Sequence, residues 1–217
     1  MKKRLFYLLL PALLAAPAAR AYDDGDFQSW YDFYAIKKVN DKFAVRVEEE
    51  LQFGDDSSDL YYYHTDLSVQ YKALPYLGFA LAYRHVDEKK NGEWSYEDRP
   101  HATVLLRGQV QRVIIENRSR FEWRDRPEVN NHMRYRNRTA LLYPVSVAGI
   151  TFTPYASLEA FIDTDTADFN QFRTATGVRK KFSHGFEGDL YYMWKTTEKS
   201  TDWTDAHIVG LAAGYIF

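Results

Sequence analysis

What most constrains the fold of this chain is a period of two, held over segments of about ten residues and repeated along the sequence. Phe43 to Phe53 sets Phe43, Val45, Val47, Leu51 and Phe53 on one face against Arg46, Glu48, Glu50 and Gln52, with Glu49 the one misfit. Tyr61 to Tyr71 sets Tyr61, Tyr63, Leu67, Val69 and Tyr71 against Tyr62, His64, Asp66, Ser68 and Gln70. The same alternation recurs in Leu77 to His85, Val113 to Trp123, Met133 to Tyr143 and Phe186 to Trp194. Successive side chains of a strand point to opposite faces, so each segment reads as a strand with one apolar and one polar face. Weaker strands are expected over Phe27 to Lys37, His101 to Gly108, Ile150 to Ile162, Asn170 to Phe182 and the terminal His207 to Phe217. No helical period competes with them.

A soluble β-sandwich alternates too. Here, however, the strands are long enough to span a bilayer, and their apolar faces end in Tyr or Trp, the residues of interfacial girdles. The final strand puts Val209, Leu211, Ala213, Tyr215 and Phe217 on one face and the small Gly210, Ala212 and Gly214 on the other. A terminal aromatic strand of this kind resembles the signal read by the outer-membrane barrel-insertion machinery. The opening of the chain agrees: Met1-Lys2-Lys3-Arg4 is basic, Leu5 to Leu14 is apolar, and Ala19-Arg20-Ala21 is a small-x-small cleavage site. We read residues 1–21 as a secretory signal peptide and 22–217 as one domain. The apolar run is too short, and too interrupted by Pro11 and Pro17, to span a membrane as a helix.

Losing that leader removes four basic residues and no acidic ones, so the net charge moves from −2 to −6 and a nucleic-acid partner is not expected. There is no cysteine, so an exported fold of this size must be held by packing or by closure of a sheet. With no later apolar run of about 18 residues, strands are the remaining route into a membrane.

The fold expected is therefore an all-β, antiparallel transmembrane β-barrel of 10–12 strands in the bacterial outer membrane, in contact with lipid and lipopolysaccharide. The connections sort into short turns (Asn40-Asp41, Ala73 to Pro75, Gln109 to Gln111, Pro144 to Gly149, Ser183 to Gly185) and longer polar loops (Gly54 to Asp59, Asp87 to Arg99, Asp125 to Asn131, Asp163 to Asp168, Thr196 to Asp205). That asymmetry fits short periplasmic turns and longer extracellular loops, with Phe217 at the periplasmic side. The strand count is eleven, whereas single-chain bacterial barrels carry an even number. Either Phe27 to Lys37 does not span, leaving ten strands, or a twelfth remains to be found.

The chain also resembles a family of bacterial outer-membrane proteins catalogued as domain of unknown function 2490. The resemblance rests on Asp26-Phe27-Gln28-x-Trp30, Glu48-Glu49-Glu50-Leu51-Gln52-Phe53-Gly54-Asp55, Tyr83-Arg84, Arg99-Pro100-His101 and Asn117-Arg118-x-Arg120-x-Glu122-x-Arg124, and covers nearly all of the mature chain. Gln52 departs from it, standing where Arg is expected. The resemblance implies a barrel and the outer membrane, and no activity.

The polar faces, if turned inward, fill the lumen with arginine. Arg118, Arg120 and Arg124 lie on one strand and Arg134, Arg136 and Arg138 on the next, with Arg46, Arg84 and Arg107 elsewhere. Two opposed rows of guanidinium groups need anions between them. Glu116 and Glu122 are the near candidates, with Glu48, Glu50, Asp66 and Glu159 further off. Three readings follow: a salt-bridge network that fills a narrow barrel, an anion-selective passage or site for a small anionic solute, and an outer-membrane hydrolase built on His64, Asp66 and Ser68. For the last, residues two apart on a strand are poorly aimed at each other and no nucleophile motif accompanies them. The chain is therefore read as a non-enzyme without a cofactor. The acidic loops lack the spacing of a cation loop and read as solvated. Glu49, on an apolar face, is expected to mark a bulge or an interfacial position.

Overall fold

A computed structural model of the chain describes residues 24–90, 92–127, 129–164, 168–199 and 202–217, so residues 1–21, expected above to be a signal peptide, lie outside the described residues. The strands are β1 (Asp26–Lys38), β2 (Phe43–Gly54), β3 (Asp59–Leu74), β4 (Leu77–Lys90), β5 (Glu93–Val110), β6 (Val113–Arg126), β7 (Val129–Leu142), β8 (Val145–Val147), β9 (Ile150–Asp163), β10 (Asp168–Lys181), β11 (Phe186–Lys199) and β12 (Asp202–Ile216). Each pairs with its chain neighbour, except that β8 is a three-residue strand paired with the first three residues of β9 and β7 pairs with β9 past it. The ring closes where β1 meets β12.

That closure corrects the expected topology in two ways. The barrel has eleven strands, neither ten nor twelve, and its closing pair is parallel, from Asp26 beside Ala206 to Ile36 beside Ile216. Phe27 to Lys37 takes part in full. An even count is required only when the first and last strands must meet antiparallel. A parallel ladder of evenly spaced, slanted bonds closes an odd ring equally completely. Past the end of the ladder, Phe217 N donates to Ile36 O and Lys38 N donates to Phe217 O. β1 therefore starts at the end of the barrel opposite the short turns.

The long polar loops are also shorter than the composition implies. Most of Asp87 to Arg99 continues β4 and β5 as a hairpin, pairing from Asp87 opposite Tyr96 to Lys90 opposite Glu93. Thr196 to Asp205 likewise extends β11 and β12, from Thr196 opposite Asp205 to Lys199 opposite Asp202. These extensions carry charged residues on both faces, which weakens their period of two in the sequence, although Trp94, Tyr96 and Trp203 still face outward and the backbone bonds persist. Pro144 to Gly149, expected as a plain turn, contains β8.

The faces fall as the alternation requires. Leu81, at 71% exposure, Leu67, Leu158, Leu190 and Leu211 point outward, and the polar faces point into the lumen. β1, whose faces were ambiguous, turns Asp26, Gln28 and Trp30 inward, all nearly fully buried, and Phe27, Tyr31 and Phe33 outward. Glu49 is exposed on the outer wall and accepts a 2.6 Å bond from Thr65 Oγ1. The nearby bulge sits between Gln52 and Phe53, not at Glu49, so a cross-strand hydroxyl is what satisfies this carboxylate.

The small residues of β12 have a packing role in the lumen. A Cβ on Gly210 would lie 2.0 Å from the Tyr191 ring, and one on Gly214 would lie 2.0 Å from the Tyr34 ring. Two tyrosines from the strands on either side thus lie over β12, where any larger residue would displace them. Trp30, Tyr191, Tyr155, Ile208, Ala206, Ala140 and Leu142 form one buried apolar cluster. Since these residues come from β1, β7, β9, β11 and β12, the cluster reaches across the bore.

Candidate functional site

The lumen of the described residues is filled by side chains that are charged, buried and bonded to one another. At its centre is Glu122 of β6, which has no solvent exposure. β7 runs antiparallel beside β6, with Glu122 opposite Arg134 and Arg120 opposite Arg136, so the ladder delivers two arginines to one carboxylate. Arg134 donates to Glu122 Oε2 at 2.6 and 2.8 Å, Arg136 Nη1 donates to Glu122 Oε1 at 2.8 Å, and Arg120 Nη1 lies 3.8 Å from Oε1. Arg136 also reaches Glu159 of β9 at 3.0 Å, and Arg118 Nη2 donates to the same Glu159 Oε1 at 2.6 Å.

A second cluster lies on β2 to β5. Arg84 donates from Nε to Asp66 at 2.9 Å and from Nη2 to Glu48 at 3.5 Å, and His101 Nε2 is 2.8 Å from the same Asp66 oxygen. Glu48 also pairs with Arg46. His64, fully buried, has Nε2 3.3 Å from Glu48 and Nδ1 3.9 Å from Glu50, which in turn accepts from Gln52. From Gln52 a hydrogen-bonded run continues through Tyr61 and Gln28 to Asp26 and Trp30. His64 and Asp66 thus share a face but take different partners, and among the described residues no hydrogen bond joins them. Neither is aimed at Ser68 as a nucleophile–base pair would be.

Three of the expected site residues fall outside these two clusters. Glu116 lies nearer the short-turn end, 3.7 Å from Arg107 and 3.5 Å from Arg179. Arg138 has neither an ion pair nor a hydrogen bond among the described residues, although it sits directly opposite Glu159 in the ladder. The remaining member, Arg124, belongs to a third cluster that the sequence reading did not assemble. There Glu97 takes both arms of Arg99 at 2.6 and 3.1 Å, Arg124 Nη2 at 2.7 Å and Arg126 Nε at 3.0 Å. Glu97 was missed because it lay in a stretch read as loop. Its spacing of two from Arg99 was the available signal, since both then share a face with His101.

Aromatic rings also hold the arginines. Arg173 lies 4.9 Å from the centre of the Trp30 ring and 4.8 Å from that of Phe161, while Arg136 approaches Phe161 at 4.5 Å and Arg179 approaches Tyr155 at 4.5 Å. A cation over a ring face gains about 0.5–2 kcal/mol, more where water is excluded. Trp30 and Phe161, each about 1% exposed, therefore plug the bore and also seat its charges. Neither figured among the expected site residues, because an aromatic residue on a polar face has no signature in a single sequence.

Among the described residues no group of three or more His, Asp or Glu is arranged to hold a metal ion. None of the curated proteins matches this sequence. A family model described as "Protein of unknown function (DUF2490)" matches residues 27–206, from the start of β1 into β12 and across all three charge clusters, and the chain belongs to that family.

Proposed function

We propose that this chain is an integral β-barrel of the bacterial outer membrane whose lumen is closed by arginine–carboxylate pairs, acting as a binding or structural barrel and not as an open diffusion pore. The observation that carries the closed lumen is the burial of Glu122 under Arg134 and Arg136, with Arg136 passing on to Glu159. Bonds that skip strands seal the bore further. Arg179 of β10 reaches Glu116 of β6 at 3.5 Å, and Tyr34 of β1 donates to Glu187 of β11 at 3.1 Å. A barrel of this strand number is narrow enough for its interior side chains to fill it.

Placement in a membrane is supported by an outer wall that exposes large apolar side chains around the ring, among them Leu67, Val69, Leu81, Phe121, Leu158 and Leu190, which water would penalise and hydrocarbon would not. The closed ladder leaves no free edge, as a spanning sheet requires. The basic and then apolar opening of the chain supports export, and β12 would be the strand offered to the insertion machinery. Lipid and lipopolysaccharide are the partners this wall would meet.

Two measurements test the proposal. Purified protein in planar bilayers should carry no steady current, and a stable single-channel conductance in the wild type would overturn the closed lumen. Leu81→Arg should lower the unfolding free energy in lipid vesicles by about 2–4 kcal/mol, the cost of a cation at mid-bilayer. A loss within about 0.5 kcal/mol, as for an ordinary surface site in water, would remove the membrane placement.

A further inference from the structure

The charges of β6, β7 and β9 do not balance. Arg118, Arg120, Arg134, Arg136 and Arg138 share only Glu122 and Glu159 among the described residues. The deficit is concentrated at one place. Arg118 and Arg138 stand directly opposite each other in the β6–β7 ladder, with Cα atoms about 5 Å apart as in any such pair. Like charges in that relation repel. Glu159, also opposite Arg138, gives the same oxygen to Arg118 and Arg136 and none to Arg138. Arg118 Nε is buried and without a partner. A guanidinium group does not shed its proton to relieve such crowding, so the missing negative charge has to come from elsewhere.

The short-turn side of this pair is the more exposed one. Side-chain exposure declines from 53% at Arg107 to 32% at Arg179 and 20% at Arg118. Arg107 and Arg179 flank Glu116, and Arg179 is also held by Asp189, so the arginines at the mouth are already paired. Farther in, Arg118 has only an oxygen of Glu159 that it shares with Arg136, and Arg138 has no ion pair among the described residues. Tyr155, Ala140 and Leu142, from the strands that carry Glu159 and Arg138, belong to the buried apolar cluster of the lumen.

We propose that Arg118 and Arg138 form a binding site for a small phosphoryl oxyanion that enters from the short-turn end of the barrel. Two guanidinium forks on adjacent strands suit a tetrahedral group, which presents separate oxygens to each, and a doubly charged anion offsets most of the excess. The site rests on the closed-lumen reading, since an open bore would let water and salt screen the arginines.

The test is a calorimetric titration of the refolded mature barrel in detergent with inorganic phosphate, in a chloride buffer. Saturable one-site binding is expected, at least tenfold weaker in Arg138→Gln and within twofold of wild type in Arg107→Gln. The wild-type melting temperature should rise with phosphate concentration as mass action requires, a readout that needs no variant. Should Arg138→Gln fail to fold, Arg138→Lys keeps the charge and loses the fork, and binding at least threefold weaker is expected. A parallel titration with glycerol phosphate separates the sources: binding of both assigns the site to phosphomonoesters, binding of inorganic phosphate alone assigns it to the free ion, and either supports it. Absence of saturable binding in the wild type, or full affinity in a folded Arg138→Gln, overturns it. A barrel that neither conducts nor binds phosphate removes the anion site and leaves the closed-lumen reading in place.

Discussion

Replacing Glu122 by alanine is expected to lower the unfolding free energy by about 3–5 kcal/mol, the cost of breaking a buried ion pair from one side. The carboxylate receives three hydrogen bonds from Arg134 and Arg136 and has Arg120 at 3.8 Å. Among the described residues the remaining ion pair of these cations is that of Arg136 with Glu159, which already serves Arg118. The measurement is equilibrium urea unfolding in lipid vesicles, followed by tryptophan fluorescence. Glu122→Gln keeps the shape and removes only the charge, so it separates lost electrostatics from lost packing: a glutamine variant as stable as wild type would show that the charge at this position is dispensable. Removing glutamate and arginines together for apolar residues of similar volume should cost far less, because nothing is then left buried and unpaired.

The second large effect is expected at Trp30. Trp30→Ala should cost about 3–5 kcal/mol, as for other buried aromatic truncations. The ring is 1% exposed, packs with Tyr191, Tyr155 and Ile208, and donates through Nε1 to Gln28 at 3.1 Å. It also seats Arg173 at 4.9 Å and Lys195 at 5.6 Å, so its removal both opens a void and releases cations into it. A second consequence is functional. Because Trp30 joins β1 to residues across the bore, its loss should turn a silent barrel into a leaky one, with anion-preferring current in planar bilayers from the freed arginines. A Trp30→Ala protein that is destabilised yet silent would place the seal with the Glu122 and Glu159 pairs alone. Trp30→Phe, which keeps most of the plug and loses the bond to Gln28, should remain silent and lose about 1 kcal/mol for that bond.

Much of this was legible in one sequence because alternation is a direct consequence of strand geometry. Arg134, Arg136 and Arg138 had to share a face, and the adjacency of β6 and β7 had to bring that face beside Arg118, Arg120 and Glu122. What did not follow is which guanidinium takes which carboxylate. Arg138 and Arg136 are equivalent in the pattern, yet Arg136 is held by two glutamates and Arg138 by none. The choice depends on how side chains from β9 cross the bore, and Glu159 lies more than twenty residues along the chain from either. The Glu97 cluster was hidden for a different reason: charged Asp87 to Lys90 and Asp98 surround it and read as loop, although Trp94 and Tyr96 face outward in alternation with Glu97 and Arg99.

By itself the sequence determined that the chain makes long strands with one apolar and one polar face, that closing them leaves no unpaired edge, and that the polar face so enclosed is rich in arginine. Only the tertiary structure decided that eleven strands close through a parallel pair, that Trp30 and Phe161 plug the bore, and that Arg118 and Arg138 are left short of a counter-charge. The division has a physical cause. Local stereochemistry sets the direction of each side chain along a strand, whereas the identity of its partner is set by closure of the ring, which brings together residues from opposite ends of the chain.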